Sequence, residues 1–255
     1  MTTSIDDTNR SLLKIGGWSA IASGGFYILI TVYIFGVLPQ FGFSTDMFDD
    51  HTLLHPWVYE HARLYQIAWL FYFLTQLFLL PVPISLANYF GVDKSERTLA
   101  LIKFGRVFCI VAITLAMLSA ILFYASSPIT ARAYTGLYSM PESQALVLTI
   151  SGLVTDIAKE TRLFSEILLG IWLVSIGYLF SAARNASSLS WLSYGIGFWT
   201  LFVVIFKFFN PYAPLEDALG IFLGAAYLII GIHQIRTLKA PLEQVEIMPD
   251  LQPDI

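Results

Sequence analysis

The chain is short of charge, of cysteine and of histidine. Only 13% of its 255 residues are Asp, Glu, Lys or Arg, about half of the ~25% usual in soluble domains. That deficit excludes an ordinary water-facing surface. The net charge is −4, so no basic face is offered to nucleic acid. One cysteine, Cys109, excludes an intramolecular disulfide and every paired-cysteine metal motif. It lies in an apolar run and reads as a small packing residue. Phosphate-binding glycine loops, G-x-S-x-G elbows and ATPase signatures are all missing, and no cofactor is expected.

Long apolar runs take the place of what is missing. Hydrophobic residues make up 56% of the chain and aromatic ones 15%. A membrane-spanning helix needs ~20 mostly apolar residues. Six segments qualify: 16–38, 64–90, 104–125, 162–183, 189–209 and 213–235. The expected fold is an all-α polytopic transmembrane helix bundle, six spanning helices plus one extra short or interfacial helix, with seven spans possible. The first apolar run, Ile15 to Leu38, has 24 residues. A cleavable signal has an apolar core of only ~7–15, so this run reads as an uncleaved first span. The extra helix is 143–155, preceded by Ser139-Met-Pro-Glu142 in the form of a capping box. It lies at the interface, spans as a seventh helix, or continues into the fourth span. Pro81 and Pro83 predict a kink in the second span. Residues 1–240 read as one integral membrane domain and 241–255 as a short polar tail.

Lysines and arginines set the expected orientation. With six spans, one side carries Arg10, Lys14, Lys94, Arg97, Lys103, Arg106, Arg184, Arg236 and Lys239; the other carries Arg63, Arg132, Lys159, Arg162 and Lys207. Nine against five places both termini in the cytoplasm of a cell whose inner membrane holds the chain. The external side is rich in acids: Asp46, Asp49, Asp50, Glu60, Asp156 and Glu160.

The densest charge cluster is "TDIAKETRLFSE", with five charges between positions 156 and 166. Residues three and four apart share a helix face. Lys159, Arg162 and Glu166 therefore align, and Arg162–Glu166 is an i,i+4 pair. Glu166 falls about one turn inside the fourth span, where a charge tends to face protein or water. One reading is a solvated helix end, or a pair that serves packing alone. The other is a polar pocket on the external side made by Asp156, Lys159, Glu160, Arg162, Glu166 and Lys207. That pocket suits a binding protein for a small ligand, a lipid or a partner. A secondary transporter using charges around Glu166 is the alternative, and a membrane-embedded enzyme the third reading. An enzyme needs an acid or histidine beside a nucleophile, which the sequence does not place, so the expectation leans away from catalysis. After Lys207, Asn210 and Pro211 suit a helix start, with Glu216 and Asp217 in its first turn.

"HTLLHPWVYEH" holds His51, His55 and His61. These are weak metal candidates, because no compact signature such as H-E-x-x-H accompanies them. His51 and His55 have the spacing of the histidine pair in ceramidase-type intramembrane hydrolases. They fall in an external loop, whereas those enzymes need them on spans, and no metal is expected. Gly220-Ile-Phe-Leu-Gly224 is a small-xxx-small pair that permits close helix approach, either within the chain or in a homo-oligomer.

Three stretches carry a family resemblance: "KIGGWSAIASGGFYILI" in the first span, Gly177-Tyr-Leu-Phe-Ser-Ala182 ending the fourth, and Ser190-Trp-Leu-Ser-Tyr-Gly-Ile-Gly197 opening the fifth. With them the chain resembles a family of uncharacterised bacterial multi-pass membrane proteins, a domain of unknown function. Leu189-Ser190-Trp191-Leu192-Ser193 replaces both the proline and the glycine of the family's Pro-x-Trp-Leu-Gly turn. The resemblance implies a topology and assigns no site residue.

Overall fold

A computed structural model describes residues 3–90, 96–137, 141–182, 187–209 and 216–239. The described chain is helical, without strands. Seven α-helices follow in order: α1 Thr3–Val32, α2 His51–Leu79, α3 Pro81–Phe90, α4 Glu96–Arg132, α5 Pro141–Ala182, α6 Ser187–Phe209 and α7 Glu216–Lys239. Six helical stretches are long and apolar enough to cross a membrane, with α2 and α3 together forming one. The protein is thus an all-α bundle of membrane-spanning character. Both of its described ends lie together, where Arg10 Nη2 donates to the Leu238 carbonyl at 3.3 Å.

The proline expectation for the second span holds. α2 ends at Leu79 and α3 starts at Pro81. Pro81 has no N–H for the Leu77 carbonyl, which accepts from Leu80 N at 3.3 Å instead. Segment 143–155 is the first part of α5, continuous with the fourth span; of the open placements, continuation is the one found. At 1.5 Å per residue the 42 residues of α5 extend ~63 Å, well beyond a ~30 Å hydrocarbon core. Ser139 lies outside the described residues, as do Asn210, Pro211 and the tail.

Away from the termini, residues 33–50 fold over the start of α2. Trp57 Nε1 donates to the Phe41 carbonyl at 2.8 Å and the Tyr33 hydroxyl to the Leu64 carbonyl at 3.1 Å. Phe43, Leu54, Trp57, Tyr65, Trp69 and Phe123 build a core cluster there. Asp50 caps α2 by accepting from Thr52 N at 2.9 Å. The Thr52 hydroxyl and amide hold its carboxyl below the usual carboxylate range. α5 buries Val147, Ser151, Thr155, Ala158, Ser165 and Leu169 at steps of three, four and seven, and exposes Leu146, Ile150, Leu153, Ile157 and Phe164. An apolar outer face is what contact with lipid tails requires.

α1 and α7 pack backbone to backbone. A Cβ at Gly24 would lie 2.6 Å from the Gly224 carbonyl oxygen, and one at Gly231 2.6 Å from that of Gly17. Gly220 also faces α1, toward Thr31 and Tyr27. Gly220 and Gly224 thus pack on α1 of the same chain. Gly24→Ala should destabilise the purified protein by about 1–3 kcal/mol, as overpacking against a rigid neighbour does. Gly25→Ala, with nothing within 4 Å of its added carbon, should be neutral or gain up to ~1 kcal/mol from helix propensity. Thermal melting in detergent separates the two; equal melting of both variants would mean that the glycines are not in contact.

Candidate functional site

The expected charge cluster divides when the chain folds. Asp156 and Glu160 are exposed, because they lie on the outer side of α5. Asp156 comes within electrostatic reach of His51 rather than of Glu166. Lys159 is half-exposed and pairs with Asp49 through Nζ and Oδ1 at 2.8 Å. The pair fastens the 33–50 segment to α5, but ion pairs this exposed contribute only ~0–1 kcal/mol.

Arg162 and Glu166 turn inward. Arg162 Nε lies 3.4 Å from Glu166 Oε1, and Glu166 is 8% exposed. Its second oxygen, Oε2, is buried without a hydrogen-bond partner among the described residues. Lys207, near the end of α6, lies within electrostatic reach of Glu166, Arg162, Lys159 and Asp49. Four of the six expected residues thus come together, and Asp156 and Glu160 do not join them.

The fold adds residues that the sequence did not single out. Tyr27 of α1 and Tyr72 of α2 are within electrostatic reach of both Glu166 and Arg162. Gln76, fully buried, donates from Nε2 to the Tyr27 hydroxyl at 3.0 Å. Tyr227 of α7 packs its ring 5.9 Å from that of Tyr27. Gln76 Oε1 and the Tyr227 hydroxyl are also buried without a partner among the described residues. Gln76 was the legible signal: it is a lone amide in the apolar run Leu74-Thr-Gln-Leu-Phe-Leu-Leu80. The tyrosines carried none, because aromatic residues are common throughout the spans.

The histidines lie apart from this site. His51 and His55 stand in the first turns of α2, a helix rather than the expected loop. Their rings stack at 5.5 Å, and His55 is 1% exposed against Tyr134. His61 stacks on Trp57 at 5.0 Å, where α2 departs from helical geometry. Among the described residues no group of three or more His, Cys, Asp or Glu is placed to hold a metal ion.

Two cavities lie near the other end of the bundle. A surface groove of about 390 Å³ is lined by Glu96, Lys103 and Phe104 at the start of α4. A small cleft of about 20 Å³ separates α3, α4 and α5 beside Trp172. Neither includes a residue of the Glu166 cluster.

One family profile, described as a domain of unknown function (DUF4386), matches residues 22–236. The chain belongs to the DUF4386 family. The match runs from α1 through α7 and so takes in every residue of the Glu166 cluster. No curated protein and no solved structure matches the chain. The DUF4386 assignment confirms the family resemblance and assigns no chemistry, so the geometry has to carry the functional argument.

The inward pair has a measurable consequence. Removing one member of a buried pair leaves the other charge uncompensated, at a typical ~3–5 kcal/mol. Arg162 is about a quarter exposed, which puts the expectation at the lower end. Arg162→Ala should destabilise the protein by about 2–3 kcal/mol, and Arg162→Ala combined with Glu166→Gln by clearly less. Equal losses in both variants, read by melting in detergent, would show that Glu166 needs no counter-charge.

Proposed function

We propose that this DUF4386 protein lies in a cell membrane with both termini in the cytoplasm, and that it binds a small hydrogen-bond-donating ligand at Glu166 from the external side. The carrying observation is Glu166 Oε2, a buried acceptor with no partner among the described residues. Buried polar atoms are normally hydrogen-bonded, and exceptions point to function or to a missing partner. Gln76 Oε1 supplies a second such acceptor, reached from Glu166 through Tyr27. Tyr27, Tyr72 and Tyr227 form an aromatic wall that suits a small ammonium group. Arg162 on Oε1 orients the carboxylate and leaves Oε2 to the ligand. A lipid headgroup amine offers the same chemistry as a free amine, but the closed burial of Gln76 and Tyr227 favours the smaller solute.

Methylammonium is a suitable probe. At equal ionic strength it should raise the melting temperature of the detergent-purified protein relative to sodium chloride, since a ligand that binds only the folded state stabilises it by RT ln(1 + [L]/Kd). The increment should vanish in Glu166→Gln. An equal increment in that variant would remove Glu166 from the site.

Sidedness has its own test. With Cys109 replaced, cysteine at Asp50 or Ser143 should react with a membrane-impermeant thiol reagent in intact cells, and cysteine at Lys94 should not. Labelling at position 94 alone would reverse the orientation and place the Glu166 mouth in the cytoplasm.

A further inference from the structure

The Glu166 cluster has a counterpart nearer the termini. Gln234 of α7 donates from Nε2 to Ser85 Oγ of α3 at 3.1 Å, and both side chains are buried. Gly16 of α1 packs against the same two side chains. Gln234 Oε1 is buried without a partner among the described residues.

Three spans, α1, the α2–α3 pair and α7, connect the two clusters in matching register. On α1 the inward face runs Tyr27, Ser23, Ala20, Gly16. On α2 and α3 it runs Gln76, Leu79, Val82, Ser85. On α7 it runs Tyr227, Ile230, Gln234. Each begins in the Glu166 cluster and ends in the Ser85–Gln234 cluster. The separations of 11, 9 and 7 residues correspond to ~10–16 Å along the helices. Between the clusters Ala20, Leu79, Val82 and Ile230 are each fully buried in one apolar core. Ser23 is the polar exception, also fully buried, with its hydroxyl unpartnered among the described residues.

The helix break falls at this same level. Leu79 ends α2 and Val82 lies in the first turn of α3. Pro81 and Pro83 have no N–H for the Leu77 and Leu79 carbonyls. Interrupted backbone at membrane depth is tolerated where it is buried in protein or lines a hydrated cavity. Broken helices of this kind border the substrate and ion sites of many transporters.

We propose that the Glu166 and Ser85–Gln234 clusters are the two ends of an interrupted proton path, closed at rest by the Ala20–Leu79–Val82–Ile230 plug. The path rests on the preceding reading only in taking Glu166 as the entry site. Glu166 Oε2 accepts a proton from a hydronium ion on its own side, whose O–H bond breaks to leave water as the carboxyl O–H bond forms, and releases it inward by breaking that new bond. The Tyr27, Ser23 and Ser85 hydroxyls each accept one proton and give up another, while Gln76 and Gln234 orient Tyr27 and Ser85. A proton can cross the apolar plug because it requires no cavity volume there. Where Leu79 and Val82 part at the helix break, water completes the gap. Arg162 and Lys207 stand on the entry side, within electrostatic reach of Glu166.

Proteoliposomes loaded with a pH-sensitive dye test this directly. A potassium diffusion potential set by valinomycin drives protons inward, and the rate of internal acidification is read. The whole chain should acidify vesicles faster than protein-free liposomes do. Glu166→Gln and Gln234→Leu should return to the protein-free rate, and Ser23→Ala should slow transport. Leu79→Ala should accelerate it about tenfold, the factor set by ~1.4 kcal/mol of barrier. Val82→Ala replaces Leu79→Ala if the latter does not purify as a single species. A whole-chain rate no greater than that of protein-free vesicles overturns the proposal, as does a Glu166→Gln rate equal to wild type. Neither result bears on methylammonium binding, which is judged by melting alone, so the two readings fail separately.

Discussion

The contact between the first and last helices is the constraint on which the rest of the bundle depends. Lipid tails are as apolar as leucine, so helices in a membrane gain little from hydrophobicity and associate through close packing and polar contacts. Gly17, Gly24, Gly224 and Gly231 let the α1 and α7 backbones meet at carbonyl distance. A side chain at Gly24 would press on the Gly224 carbonyl oxygen and the Leu228 amide nitrogen, backbone atoms that cannot turn aside, as well as on the Leu228 side chain. This joint sets the register of α1 against α7. It brings Tyr27 beside Tyr227 and Gly16 beside Gln234. A slip of one turn would separate both pairs.

That register explains how so many polar atoms are held within an apolar bundle. Each buried hydroxyl or amide needs a partner, since burial without one costs a few kcal/mol. Several are satisfied locally: Thr31, Thr75, Thr200 and Ser175 return their hydroxyls to the carbonyl four residues earlier. Others join different helices, as Gln76 does to Tyr27, Ser119 to the Ala158 carbonyl and Ser190 to that of Gly177. The groups left over are not scattered evenly. Among the described residues, Gln76 Oε1, the Tyr227 hydroxyl, Ser23 Oγ and Gln234 Oε1 follow the seam between α1, α7 and the broken α2–α3 pair, with Glu166 Oε2 of α5 at one end, while others lie on His51, His55, Trp69, Ser165, Ser193 and Trp199. The α2–α3 break and the α1–α7 glycine contacts both lie along this seam.

The far end of the molecule is built on a different principle. There α2, α4 and α5 run past the length that a bilayer needs, and residues 33–50 close over them with aromatic rings and a few long-range bonds. Trp57, Phe43 and Phe48 pack at ring distances of 4.9–5.1 Å around Phe43, and Lys159 ties the segment to α5. This cap contains His51, His55 and His61, which accounts for their packing: His61 completes a stack on Trp57 at the bend in α2, and His55 fills space beside Tyr134.

The sequence by itself determined the class of the protein, its six apolar runs, the proline break and the depth of Glu166 within the fourth span. Those are properties of local composition: apolar length, a missing N–H, and a charge one turn inside an apolar run. Family membership was legible for the same reason, since short motifs within spans carried it. The tertiary structure alone decided which charges meet. Helical spacing aligned Lys159, Arg162 and Glu166, yet only the packing of α5 against its neighbours turned Arg162 and Glu166 inward while leaving Asp156 and Glu160 exposed. The same holds for Tyr27, Gln76, Tyr227, Ser85 and Gln234. They are far apart in sequence and ordinary in context, and they become a seam because two glycine contacts set the register of helices at opposite ends of the chain. Segment 143–155 was open for a related reason: hydropathy measures how much apolar length is present, but whether a helix stops or continues depends on what it packs against.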